Sequence, residues 1–358
     1  MPNVKYGWLA CLVAICCSMG IFPAAATAED SEQDSLEAAF NAGRWGKRAS
    51  VGVNLLQSYY TRNWNGGDKG SVVWNATFDA TAQKQLSPDW HWFNTANLAF
   101  GQNHQQDRRV DGSLFWRRPD KSTDQIKLES LLRFTRGELD PFFSVRLSSQ
   151  FLDQTDPLGR KFSFNPLEFF ESAGISRMFY ENGDRRLLAR LGFTLRQSFR
   201  DQYRSAEVDA VGRPVDDTVL SESTTDGGLE LTLNYDTRIL QERVEYRSQL
   251  RVYKAVYYSG KSDVEDVERQ VLLDAGLSGD LADYFLAADI DFENSFKANI
   301  TRLLNVQFNL RWVYDKYDTT VKPVVADGAI QNATAVQGAV RKSGQLRQTM
   351  SIGLAYTF

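Results

Sequence analysis

Charged side chains recur at every second residue along much of this 358-residue chain, opposite an apolar face. In "RLLARLGFTLRQSFR", Leu187, Ala189, Leu191, Phe193, Leu195 and Phe199 alternate with Arg190, Thr194, Arg196, Ser198 and Arg200. In "DQIKLESLLRFTRG", Ile126, Leu128, Ser130, Leu132 and Phe134 oppose Lys127, Glu129, Leu131, Arg133 and Thr135. The same phase yields the basic candidates Arg146, Arg247, Arg251, Lys297, Arg311 and Arg347 and the acidic candidates Glu230, Asp236, Glu245, Asp289, Asp291 and Glu293. So many charges on one face of a sheet require water or opposite charge beside them. Inside a barrel that leaves two readings open: a hydrated pore whose charges select solutes, or a lumen sealed by salt bridges. Arg190 and Arg196 are expected to face a strand carrying Glu230, and Asp289, Asp291 and Glu293 to lie beside Arg311. Basic and acidic walls would then confront each other across part of the lumen.

Other chemistry has less support. The two histidines outside the leader, His91 and His104, fall at opposite ends of one predicted strand, some 40 Å apart in extended chain, too far to share a metal or a dyad. "FGQNHQQD" places no serine near His104, and calcium-loop, P-loop and HExxH patterns are absent. The chain reads as a non-enzyme without a cofactor or a metal. Its mildly acidic charge gives no footprint for nucleic acid.

These side chains must be positioned by long strands. "GSVVWNATFDATAQ" sets Val72, Trp74, Ala76, Phe78, Ala80 and Ala82 against Asn75, Thr77, Asp79, Thr81 and Gln83. Further alternation near 51–60, 91–103, 142–152, 172–180, 228–236, 243–258, 285–298, 304–316 and 345–358 brings the count to about twelve strands. Most run about nine residues or more, the length a tilted strand needs to cross a bilayer. Short gaps (86–90, 137–141, 181–185, 236–241, 300–304) alternate with long polar ones (61–70, 104–123, 153–171, 201–226, 259–284, 317–344). This predicts an all-β transmembrane antiparallel barrel over 50–358, with short periplasmic turns and long external loops. Aromatics make up 12% of a chain whose mean hydropathy is negative, as expected where apolar side chains meet lipid and polar ones meet water. Neutral apolar positions such as Leu128, Leu191 and Phe308 should face lipid. Arginine at Leu191 should therefore cost more than arginine at lumen-facing Thr194.

The N-terminal 28 residues read as a cleaved signal peptide. One lysine, Lys5, precedes an apolar core, and Ala26 and Ala28 fit the small-residue cleavage site. All three cysteines (Cys11, Cys16, Cys17) would leave with it, so the mature chain would lack thiols. Residues 29–49 would form a periplasmic segment, with a short helix, a plug and a frayed tail as open alternatives. The loop stretches "VDGSLFWRRPD" and "FSFNPLEFFES" are rich in aromatics, fitting interfacial anchors or a ligand-binding cover.

The chain ends in "SIGLAYTF", with Ile352, Leu354, Tyr356 and Phe358 on one face. This resembles the terminal strand of bacterial outer-membrane barrels, which implies an assembly signal read by the outer-membrane assembly machinery. "LLQSYYTRNWNGGDKGSVVWNATFDATAQ" and "DIDFENSFKANITRLLNVQFNLRWVYDK" resemble an uncharacterised, Bacteroidetes-type family of outer-membrane barrels. That resemblance implies a Gram-negative outer-membrane location with the lipid bilayer as partner, and assigns no catalytic residue. The function expected is a channel or transporter for an unidentified small polar solute. The alternative is a non-conducting structural or ligand-binding barrel acting through its external loops, with an enzyme a distant third.

Overall fold

Period-two patterning needs a structure that shows one face to lipid and the other to a polar interior, and this chain solves the problem by closing its sheet. The computed structural model describes residues 43–59, 69–111, 113–154, 156–182, 185–205, 207–240, 243–265, 267–301, 304–326, 329–341 and 343–357. Twelve antiparallel strands form the ring: β1 (Gly46–Ser58), β2 (Ser71–Ser87), β3 (Trp90–Arg108), β4 (Asp120–Phe134), β5 (Asp140–Ser149) and β6 (Leu167–Asn182), then β7 (Arg185–Tyr203), β8 (Val219–Ile239), β9 (Val244–Tyr258), β10 (Ala288–Asn299), β11 (Leu304–Tyr314) and β12 (Gln345–Thr357). Each pairs with its sequence neighbours, and β12 returns to β1. Closure gives every strand of the ring a neighbour on both sides, which is how a sheet can span lipid.

The faces follow the predicted phase. On β7, Leu191 and Phe193 are about half exposed on the outside, while Arg190 and Thr194 are buried within. Leu128, Phe143, Ile175, Leu229, Met350, Ile352, Leu354 and Tyr356 are likewise exposed outward, and Phe308 shares that face. Two aromatic belts flank this apolar surface. Tyr235, Tyr246, Phe296 and Phe308 form a ladder across β8 to β11, with ring centroids 6.0, 4.7 and 6.0 Å apart. Trp74, Phe100, Phe151 and Phe164 form another toward the long-loop rim. Such belts match the two interfaces of a bilayer. A polar residue in the outward phase, Asn294, is covered by the Tyr246 hydroxyl, which donates to Asn294 Oδ1 at 2.7 Å.

Gly174 and Gly192 face each other on β6 and β7. A Cβ on either would come within 2.6 Å of backbone carbonyl oxygen across the pair, so the close approach needs glycine at both places. The Phe142 ring, from β5, lies over Gly192 on the lumen side.

The strands are longer than the sequence alternation suggested. β1 begins at Gly46, so residues 46–49 are barrel wall and not part of the preceding segment; Trp45 packs on Trp92 at 5.2 Å. The signal peptide, residues 29–42 and Phe358 lie outside the described residues. β7 and β8 extend to Tyr203 and from Val219, so the loop expected over 201–226 is largely a projecting hairpin. "TTDGG" there reads as turn chemistry, but Gly227 and Gly228 form a bulge against β9 within a continuous strand.

The fifth and sixth long loops fold together over the mouth. Short helices at Lys261–Glu265, Arg269–Asp274, Leu281–Tyr284 and Ala333–Ala339 contribute to an apolar core of Tyr258, Leu272, Leu281, Phe285, Tyr317 and Val336, with other loop residues around it. Loops read as polar connections thus form a cap with its own core. Its apolar residues come from two stretches far apart in sequence, so neither stretch shows a periodicity alone.

Candidate functional site

The lumen holds the charged residues picked out by alternation, and nearly all are paired. In its middle, Arg190 donates to Glu129 at 2.7 Å, and Glu230 receives Arg146 at 3.4 Å and Arg251 at 3.7 Å. Arg311 grips Asp291 with two parallel bonds of 2.8 and 2.7 Å, the fork geometry that suits a carboxylate. Lys127 on β4 reaches Glu293 on β10 at 3.5 Å. In a ring of twelve, β4 and β10 lie opposite each other, so this pair bridges the full width of the lumen.

Toward the loop rim, Arg196 holds Asp226 at 2.7 Å and Asp289 at 3.5 Å, while the Tyr253 hydroxyl donates to Asp226. Arg200 contacts Asp318 at 3.3 Å and Thr320 at 2.7 Å, both from the sixth loop, and Thr224 donates to the Thr319 carbonyl at 2.9 Å. The cap therefore reaches into the mouth and is tied to the inner wall. Just after β11, burial together with the Asp289 and Asp318 carboxylates pushes Asp315 up to about 8.

At the short-turn end, Arg133 faces Asp140 at 3.8 Å, and Arg247 lies 3.7 Å from both Asp236 and Glu245. Arg48 on β1 reaches Glu245 on β9 at 4.0 Å, and Lys297 is the register partner of Glu245. Arg347 sits opposite Arg311 in the ladder and makes no ion pair with a described residue.

Two expectations hold in part. Arg190 and Arg196 face the strand that carries Glu230, but Gly192 is the ladder partner of Glu230; Arg190 reaches Glu129, and Arg196 takes Asp226 on that same strand and Asp289. The opposed basic and acidic walls exist where Arg196 meets Asp289, but elsewhere the signs interleave, because Glu129 and Glu230 sit among the arginines. Several participants were missed as site residues. Lys127 shares the phase of Glu129 and Arg133, so alternation could have included it. Asp226 was hidden by its turn-like surroundings, and Arg48 by its place in the periplasmic segment expected over 29–49. Asp318 comes from a loop, where no phase exists to read.

His91 is buried at the short-turn end beside Arg133, and His104 packs against Trp116 near the loop rim, with ring centroids 5.0 Å apart and the rings tilted by 48°. Among the described residues no group of three or more His, Cys, Asp or Glu side chains is placed to hold a metal.

No curated protein matches the chain. Among solved structures, it is similar to the COG4313 outer membrane channel from Pseudomonas putida, at 9% identity and TM-score 0.36, covering 87% of this chain and 94% of that one. It is also similar to the translocator domain of autotransporter NalP from Neisseria meningitidis, at 10% identity and TM-score 0.28, covering 92% and 96%. Pseudomonas putida OprB matches at 11% identity and TM-score 0.25, covering 93% and 98%. At such scores the twelve-stranded closure rests on this chain's own strand pairing. A family model described as "Protein of unknown function (DUF3078)" matches residues 55–154, from the middle of β1 through β5 and just beyond.

Proposed function

We propose that this protein sits in the outer membrane and passes small polar solutes selectively, through a lumen that charge pairs hold shut at rest. The observation that carries the reading is Lys127–Glu293, a contact between opposite walls made by side chains of ordinary length. Charges kept in a lumen only for stability could be replaced by apolar packing at little cost. A set of both signs, one pair spanning the bore, supports a gate that a polar solute can outcompete. The belts, the apolar outer face and the leader read from the sequence support the location. The match over 55–154, where one of the two resembling motifs lies, supports a place among uncharacterised Bacteroidetes-type barrels. The reading assigns no catalysis and no cofactor.

A second reading has its own support: the cap's apolar core gives the loops a fixed external surface, as a binding barrel would need. Planar-bilayer recording separates the two. The wild-type barrel should conduct little, and Lys127→Gln with Glu293→Gln, which removes both partners and orphans neither, should give discrete steps. Silence from a double variant that keeps its heat-modifiable gel mobility would favour the binding barrel.

A further inference from the structure

The wall is not equally closed all round. Among the described residues, β1 and β12 pair over four positions: Ser50 with Thr357, Val51 with Tyr356, Gly52 with Ala355, and Val53 with Leu354. Every other neighbouring pair of the ring carries at least eight. Beyond Val53 and Leu354, residues 54–58 pair with β2 alone and residues 345–353 with β11 alone. The Asn54 side chain marks the parting. A Cβ on Gly353 would lie 1.6 Å from Asn54 Oδ1, and Asn54 itself donates to Asn75 at 2.6 Å.

This unzipped stretch lies in the part of the wall that faces lipid. Leu55, Leu346, Met350 and Ile352 project outward and are 52–67% exposed. Leu56, turned to the lumen by alternation, is 69% exposed, and Arg347 and Thr349 on the lumen side of β12 are exposed as well. An unpaired backbone edge in hydrocarbon is costly unless something polar meets it. Beside the gap lies a cavity of about 230 Å³ lined by Arg311, Val313, Gln345, Leu346 and Arg347. Asp291 pairs with Arg311, which leaves the Arg347 guanidinium as the lining charge without an ion pair to a described residue. The opening therefore joins an apolar outer lip to a cationic inner one.

We infer that the seam between β1 and β12 is a lateral portal between lumen and bilayer, and that its occupant is a long-chain carboxylate. The head meets Arg347 and the tail lies along Leu346, Met350 and Leu55. A carboxylate matches the guanidinium fork, and an alkyl chain matches the apolar outer lip of Leu55, Leu346 and Met350. The inference goes beyond the passage of polar solutes and stands without it, since it depends on the wall and not on the bore.

The test is photolabelling of the purified barrel with a twelve-carbon fatty acid carrying a diazirine near its tail, beside the matching alcohol. Fatty-acid label should concentrate on residues 55–56 and 346–352. Arg347→Gln should cut it about tenfold, Arg347→Lys should restore part of it, and alcohol labelling should not respond to either change. Leu56→Cys with Ser351→Cys, opposite each other if the ladder continued, should zip the seam on oxidation and abolish the label until reduction. Label spread around the whole ring and indifferent to Arg347→Gln would overturn the portal. Cross-linking of β12 to β12 of a second copy, with no fatty-acid label, would overturn it too, by showing that another chain fills the edge.

Discussion

Leu191 and Thr194 differ by three residues and by everything around them. Leu191 is 49% exposed on the lipid face, whereas Thr194 is fully buried, with its hydroxyl 2.8 Å from that of Ser172. Alternation assigned both sides of β7 correctly. It could not tell a roomy lumen position from a packed one, because packing comes from β6 and the bulged β8 and not from β7. Leu191→Arg should cost roughly 2–4 kcal/mol near mid-membrane. Thr194→Arg should not be the cheap control that the sequence suggested, since overpacking a filled site itself costs about 1–3 kcal/mol. Thr349, exposed on the lumen side of β12, is the better comparator, and Thr349→Arg should stay within about 1 kcal/mol. Refolding titrations into lipid vesicles would rank the three; equal losses at Leu191 and Thr349 would count against the register.

At the scale of elements, the cap and the closing strand pose different questions. Asp315 anchors the start of the sixth loop with its carboxyl held protonated by burial and by Asp289 and Asp318. An acid raised in the folded state binds more protons there than when unfolded. The docked cap should therefore lose stability as pH rises from about 4 to about 8, then level off. Asp315→Asn should flatten that slope, as read by hydrogen exchange across 315–341. A slope of opposite sign would mean that other groups dominate. The cap was not legible beforehand because Val264 and Val336, both in its core, belong to loops about seventy residues apart. β12 is the converse case. Its outward Leu346, Met350, Ile352, Leu354 and Tyr356 follow the sequence phase throughout. Deleting Phe358 takes one ring from a barrel held by eleven other strands, so refolding in detergent should be unchanged. Outer-membrane yield in cells should fall if the terminal aromatic is an assembly signal, and an unchanged yield would refute that role.

For the molecule as a whole, twelve strands, their faces and the alternation of short and long connections were readable from period and spacing. Partners across the lumen were not, because they depend on ring closure: only when β12 meets β1 does β4 come to stand opposite β10. That geometry sets what the acidic strand does. Asp289, Asp291 and Glu293 hold Arg196, Arg311 and Lys127 respectively. Neutralising the three together to Asn, Asn and Gln leaves Lys127 and Arg311 facing each other across the bore, with Arg347 beside Arg311, while Arg196 keeps Asp226. Removing one side of a buried pair typically costs about 3–5 kcal/mol, far more than removing both, and water in the lumen softens that cost here. The triple variant should lose its heat-modifiable mobility at a lower temperature than the wild type. Repulsion between the orphaned cations should also hold the bore open, so the variant should conduct with a preference for anions. That preference should grow as salt is lowered, because the screening length lengthens from about 10 Å at 0.1 M to about 30 Å at 0.01 M. Reversal potentials under a salt gradient measure it directly. A folded triple variant that conducts without favouring anions would show that these charges do not line the path. A folded one that stays silent would show that the charge pairs are not what closes it.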